Sequence, residues 1–117
     1  RHMAVTIYHN PRCSKSRQTL QLIEENNIEA VGVEYLKTTP SKAELKNILK
    51  MLNMTPRDLL RKKETEYSAQ GLDDMSLSDD QIIDIMIAHP KLIERPIVVT
   101  GGKAALGRPP ENVLDII

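Results

Sequence analysis

Phenylalanine and tryptophan are both missing from this 117-residue chain, and three tyrosines are its whole aromatic content. Any core it builds is therefore aliphatic, and the stacking platforms that hold single-stranded nucleic acids are nearly ruled out. Net charge is missing too, because 16 Lys and Arg balance 16 Asp and Glu. Such a chain has no overall field drawing it to nucleic acid or to an anionic membrane, although a local cationic pocket remains compatible with the balance. No apolar run is long enough to span a bilayer, and no signal-peptide pattern opens the chain. Cys13 is the single cysteine, which excludes an internal disulfide. No close Cys/His set accompanies it, so no metal site is expected. The compartment these features imply is a reducing cytoplasm. Arg1 and His2, ahead of Met3, resemble residues left by cloning and are set aside from fold reasoning. What remains, with 40% hydrophobic and 27% charged residues, is the composition of one ordinary globular domain, expected over residues 4–117.

The β-rich run Ala4–Tyr8 predicts a strand ended by Asn10-Pro11. From about Ser14 to Asn27 the pattern is helical, with Leu20 and Ile23 on one face. Val31–Leu36 reads as a second strand, so the opening is β-α-β with a right-handed crossover and a parallel pair. Ser41 and Glu44 form a capping box ahead of Leu45, Ile48, Leu49 and Leu52 at helical spacing. Thr55-Pro56 opens a short helix through Leu59 and Leu60 to Arg61. Residues 62–75 are charged and irregular, and read as loop with at most a helical turn, broken at Gly71. Ser78 and Gln81 make a second capping box, and the isoleucine-rich helix after it ends at Pro90. Ile97–Thr100 and Lys103–Leu106 read as a hairpin about Gly101-Gly102, and Pro109-Pro110-Glu111 starts a last helix through Val113, Leu114 and Ile117. With the block at about 41–90 set aside as a helical insertion, β-α-β followed by β-β-α is the connectivity of the thioredoxin fold. The expectation is an α/β protein with a mixed four-stranded sheet and flanking helices.

Cys13 falls at the turn between the first strand and the first helix, in Ile7-Tyr8-His9-Asn10-Pro11-Arg12-Cys13-Ser14-Lys15-Ser16-Arg17. Unpaired backbone N–H groups at a helix start, with Arg12, Lys15 and Arg17 nearby, favour thiolate, the reactive form. The alternative is a buried core cysteine. Arg61, Arg95 and Arg108 each sit where an element changes, and their planar donor forks suit a tetrahedral oxyanion. Taken singly, each reads more simply as a solvated surface residue or one half of a salt bridge. The Arg95-Pro96 bond is either cis, which would turn Arg95 toward the Cys13 end of the sheet, or trans at the start of an edge strand. His9 is a candidate for tuning the thiol, Asn10 for hydrogen bonding within the loop, and Ser14 and Ser16 for donating to the thiolate or a bound anion. Their plainer readings are turn and helix-start composition. His89, before Pro90, reads as a helix-end residue.

The segment Ile7–Arg17, with Leu59-Leu60-Arg61-Lys62, His89-Pro90, Glu94-Arg95-Pro96-Ile97-Val98-Val99 and Gly107-Arg108-Pro109-Pro110-Glu111, resembles the glutaredoxin-dependent bacterial arsenate reductase family. The match runs from about Val5 to the last residue, in order. The resemblance implies a thioredoxin-like fold with a helical insertion. It implies attack on arsenate by a thiolate at Cys13, oxyanion binding by Arg61, Arg95 and Arg108, and an influence of His9 on the thiol. It also implies glutathione as co-substrate, glutaredoxin as recycling partner and no bound cofactor. Monomeric action is expected, without nucleic-acid or membrane partners. Ser14-Lys15 stands where reductases of this family tend to have Gly-Thr, and family members usually continue past the position of Ile117.

Two other functions fit parts of the pattern. One is a glutathione-linked thiol oxidoreductase with another substrate. The other is a regulator related to the Spx proteins, which bind RNA polymerase and often carry a Cys-x-x-Cys switch; position 16 here is Ser, so that switch is absent. The Cys-x5-Arg loop of phosphatase-type arsenate reductases is not met, because position 19 is Thr.

Overall fold

A computed structural model describes residues 4–117; Arg1 and His2, set aside above, lie outside the described residues. The chain divides into two compact units, one holding the residues up to Thr38 together with Arg95–Ile117, the other Thr39–Glu94.

The first unit contains the sheet. Strand β1 (Val5–His9) is central, paired in parallel with β2 (Ala30–Glu34) and antiparallel with β3 (Ile97–Thr100), which pairs antiparallel with β4 (Lys103–Leu106). The order β2-β1-β3-β4 is that of the thioredoxin-like fold expected from the connectivity. The hairpin falls where Gly101-Gly102 predicts, both glycines taking positive φ. Helix α1 (Ser14–Glu25) links β1 to β2 and stops at Asn26. Asn27 (φ +60°) then takes the left-handed conformation, with its amide on Glu24 O and that of Ile28 on Ile23 O, the paired closure of a Schellman motif. β2 starts one residue earlier than read and ends at Glu34, so Tyr35 leaves the strand and is buried.

The core of this unit is aliphatic, as the missing aromatics require. Val5, Ile7, Ile23, Val98 and Val113 form its centre, with Leu20, Ala105 and Ile116 packed against it. Val5 and Ile7 alternate onto one face of β1, and α1 and the last helix cover that face. That last helix is of 3-10 type over Pro110–Asp115, instead of a regular helix to Ile117. Gly107 is where β4 leaves the sheet. Its amide donates to Pro96 O at 2.8 Å, and the Thr19 hydroxyl reaches its carbonyl at 3.5 Å.

In the second unit both capping boxes are formed, by Ser41 with Glu44 ahead of α2 (Lys42–Leu52) and by Ser78 with Gln81 ahead of α4 (Asp79–Ala88). Leu45, Ile48 and Leu49 of α2 and Ile82, Ile83 and Met86 of α4 are buried. The short helix after Pro56 is a 3-10 turn, Arg57–Leu59, and ends before Arg61. Residues 62–75 hold a helix, α3 (Thr65–Ala69), closed by a Schellman motif at Gly71 (φ +72°). Two contacts organise this stretch: Tyr67 and Leu72 are buried, and the Arg57 guanidinium donates to Leu72 O at 3.0 Å and Asp74 O at 2.6 Å.

A Cβ on Gly107 would lie 2.6 Å from Thr19 Oγ1 and 2.8 Å from Pro96 Cγ, inside contact distance on two sides. Gly107→Ala is therefore expected to lower unfolding stability by about 2 kcal/mol in urea denaturation, the usual range for overpacking. A change below about 0.5 kcal/mol would show that this joint has room.

Candidate active site

The C-terminal ends of the parallel strands β1 and β2 and the start of β3 lie at one edge of the sheet, because Tyr8 pairs with both Val33 and Ile97. Cys13, Tyr35 and Arg95 all attach to the chain near that edge.

Cys13 is the N-cap of α1, with extended backbone (φ −87°, ψ 127°). The loop before it is tied down locally. Asn10 Oδ1 accepts from the Arg12 amide at 3.1 Å, Asn10 O accepts from the Cys13 amide at 2.9 Å, and the Asn10 amide donates to Ser16 Oγ at 3.2 Å. Ser16 is fully buried, so its hydroxyl belongs to the loop's own framework. The alternative of a buried core cysteine is not what the structure shows: Cys13 is half-buried and unpaired.

Burial pushes the Cys13 thiol up, but the Ser16 amide, the Arg95 guanidinium and the Lys15 amide, in that order, pull it down further, and it falls from 9.0 to about 7. Lys15 and Ser16 are the second and third residues of α1, where N–H groups have no partner within the helix. Cys13 stands at the N-cap position that Ser or Asp usually fills, though its side chain makes no capping hydrogen bond.

Arg95 and Arg108 meet at this thiol. The Arg95 guanidinium lies near enough to the thiol to help lower its pKa. Arg108 Nη1 is 4.0 Å from Cys13 Sγ and donates to Arg95 O at 3.2 Å. Both X-Pro bonds, Arg95-Pro96 and Arg108-Pro109, are cis. Arg95 Nε is buried and has no hydrogen-bond partner among the described residues. Burial disfavours the Arg95 charge, but Tyr35 and Cys13 more than offset this, and its pKa rises.

The other sequence candidates are placed as follows. The His9 ring covers Gly32 on the neighbouring strand, where a Cβ would come within 2.9 Å of Nε2. The Arg17 guanidinium donates to Pro11 O at 3.0 Å. Arg61 belongs to the second unit, where it donates to Glu94 at 2.6 Å and Glu64 at 3.2 Å, while its amide donates to Leu92 O at 2.7 Å. Tyr35 was not singled out from sequence: it reads there as a strand residue, and only its position just past Glu34 distinguishes it. Among the described residues no His, Cys, Asp and Glu cluster suited to a metal is found, and no helix is long and apolar enough to cross a membrane.

A half-buried thiol at a helix start, flanked by two guanidiniums on a thioredoxin-like sheet, has the chemistry to meet an anion with a reactive sulfur. A family model for the ArsC family matches residues 8–116. The chain is 54% identical over 114 residues to the uncharacterized protein YfgD of Escherichia coli (strain K12), covering 97% of this chain and 96% of that protein. It is 48% identical over 115 residues to the arsenate reductase of Rhizobium meliloti (strain 1021), covering 98% of this chain and 82% of that one. The structure of an arsenate reductase from Vibrio cholerae superposes with a TM-score of 0.96 at 50% identity, over 100% of both chains. The chain belongs to the ArsC family.

The thiol makes a direct prediction. Thiolate absorbance of the native protein should titrate with a midpoint near pH 7, and Arg95→Ala should move it upward, whereas a wild-type midpoint above 8.5 would deny the thiolate its helix-end and guanidinium support. The sign for stability follows from the same lowering. The contribution of Cys13 ionisation is complete above 9.0 and fades as pH falls through about 7.

Proposed function

We propose that this protein is an arsenate reductase that works through a Cys13–arsenic ester. The observation that carries the reading is the Cys13 thiol, lowered to about 7, with Arg95 and Arg108 beside it. Relatives named arsenate reductase at 45–48% identity support the substrate. At neutral pH a large fraction of Cys13 is thiolate, and arsenate brings negative charge that two guanidiniums would balance. The Cys13 sulfur attacks arsenic and a protonated oxygen leaves as water, so the first product is a thiol ester of arsenic(V). Glutathione then attacks that ester. Arsenic takes up two electrons and departs as arsenite, while Cys13 and glutathione are left as a mixed disulfide. Glutaredoxin takes the glutathionyl group by thiol–disulfide exchange and frees the Cys13 thiolate. The electrons come from outside the chain because it holds one cysteine. This makes glutathione a co-substrate and glutaredoxin the partner of a monomer with no bound cofactor, in a cytoplasm that supplies both thiols.

In this reading the family resemblance gives Arg61 a part in binding the oxyanion; its guanidinium is paired with Glu64 and Glu94. His9, Asn10 and Ser16 keep the thiol loop in shape, His9 against Gly32 and the other two through their mutual hydrogen bond. Phosphate resembles arsenate in shape and charge, so the arginines alone do not separate them. Discrimination comes from chemistry, since arsenic(V) is readily reduced by thiols.

The test is arsenate-dependent NADPH oxidation in the presence of glutathione, glutaredoxin and glutathione reductase. Wild type should turn over and Cys13→Ser should not, and turnover retained in Cys13→Ser would remove the nucleophile. Arg61→Ala should raise KM for arsenate by roughly tenfold or more, the loss of one charged hydrogen bond, without moving the thiolate midpoint. Arg17→Ala should change KM little. Wild type that is glutathionylated at Cys13 but never responds to arsenate would instead indicate a glutathione-linked oxidoreductase with another substrate.

A further inference from the structure

A groove of about 360 Å³ runs between α1 and the last helix, within the unit that holds Cys13. Its volume lies in the range of small-ligand clefts, about 300–1,000 Å³. One wall is a stripe of α1 formed by Lys15, Gln18, Gln21 and Glu25, which are three or four residues apart and so share a face over about 15 Å. The other wall holds Pro109 and Glu111. Both walls start beside the thiol: Lys15 is two residues past Cys13, and Pro109 follows Arg108, whose Nη1 is 4.0 Å from Cys13 Sγ. The charges along the stripe run against the helix. A cation at a helix start and an anion at its end oppose the macrodipole, and α1 has no acidic residue in its first turn and no basic one in its last. The stability of α1 therefore does not account for Lys15 and Glu25. Polar side chains flanking the groove are used inside the fold: Arg17 donates to Pro11 O, Asn26 to Leu22 O, and Asn112 to Leu106 O and Arg108 O. Those of the groove itself make no hydrogen bond or ion pair among the described residues.

A chain with one cysteine needs a thiol from outside to clear that cysteine once it has reacted. The groove has a chemistry that selects among such thiols. Beside the sulfur it offers an ammonium, further along two primary amides, and on Glu25 and Glu111 two carboxylates. The complementary molecule carries a carboxylate near its sulfur, peptide groups beyond it and an amino group at the far end. We propose that this groove binds the thiol that resolves Cys13 and selects a small peptide thiol of glutathione's chemistry. Lys15 takes its carboxylate, Gln18 and Gln21 its peptide groups, and Glu25 and Glu111 its ammonium. Arg95 and Arg108 meet the anion, and the groove residues meet only the peptide part of the incoming thiol. This assignment deepens the proposed reading and rests on it for the place of the outside thiol in the reaction.

The experiment leaves arsenate out and uses oxidised glutathione as its probe. The Cys13 thiolate attacks one sulfur of the probe's disulfide, a Cys13–glutathione disulfide forms, and one glutathione thiolate leaves, with no net change of oxidation state. The rate would be followed by intact mass against probe concentration in wild type, Lys15→Gln, Gln21→Ala and Glu111→Gln, each above its own Cys13 midpoint. Bis(2-hydroxyethyl) disulfide, which has neither charge nor peptide group, serves as the second probe. Wild type should saturate with oxidised glutathione, and Lys15→Gln should raise the half-saturating concentration roughly threefold to fivefold, the loss of one exposed ion pair. Rates with the uncharged disulfide should be the same in all four proteins. A wild-type rate that never saturates, a half-saturating concentration unmoved in every variant, or a loss shared equally by both probes overturns the assignment. If urea unfolding shows that Lys15→Gln does not fold, Gln21→Ala and Glu111→Gln carry the test with the same outcomes. Wild type that never reduces arsenate would refute the reductase reading alone, since the disulfide probe still decides the groove. Arsenate turnover with an unchanged KM for glutathione in Lys15→Gln would overturn the groove and leave the reductase standing.

Discussion

The charge on Cys13 has to be held by groups that the chain delivers from separate places, and this requirement orders the first unit. Two backbone amides come from the opening turn of α1, one guanidinium from the entry to β3 and another from the exit of β4. None of these acts alone. Burial works against the thiolate, and its pKa falls only because several favourable contacts outweigh that cost. The sheet order places β1 between β2 and β3, so that the loop carrying the sulfur and the segment carrying Arg95 arrive at a common edge. The aliphatic layer of Ile7, Ile23, Val98 and Val113 fixes α1 against that sheet and thereby fixes where its unpaired amides point.

Much of the architecture is legible in the residues because its local signals agree with its global pairing. The two capping boxes, the Asn10-Pro11 break, and the Gly101-Gly102 hairpin each appear where the chain pattern puts them. The less legible parts have physical causes. Helix α3 is only five residues long, and its position is set by the buried pair Tyr67 and Leu72 and by the Arg57 guanidinium, contacts that have no periodic signature. The terminal helix carries apolar residues at spacings that suit a regular helix, yet it winds as a 3-10 turn of six residues. The strand pattern at Val31–Leu36 does not say where pairing stops, so Tyr35 reads as part of the strand when it has already left it.

The chemistry of the site was similarly half visible. Cys13 is marked by its place at a strand-to-helix turn, and Arg95 and Arg108 by their prolines. That the last two converge on one sulfur depends on the antiparallel register of β3 and β4, with Ile97 opposite Leu106. Their separation in sequence is therefore spent on the hairpin and closes again at its base. Arg61 stands in the other unit, engaged by two carboxylates, one from Glu64 three residues on and one from Glu94. The first of these is foreseeable from spacing, and the second is a product of folding.

Gly107 sets a limit on how this protein can vary. The residue sits at the base of the hairpin, wedged between Thr19 and Pro96, with its amide bound to Pro96 O and Arg108 immediately after it. The two guanidiniums are thus tied together by a strand ladder closed at one end, while the other end is a two-glycine tip with open space around Gly102. Length can be gained or lost at that tip without altering the distance between the charges, since the register below it is held by pairing. At the base the chain has no slack, and a residue added there would rotate Arg108 out of reach of the sulfur. Tolerance to insertion in this hairpin is therefore polarised, concentrated at the end away from the thiol.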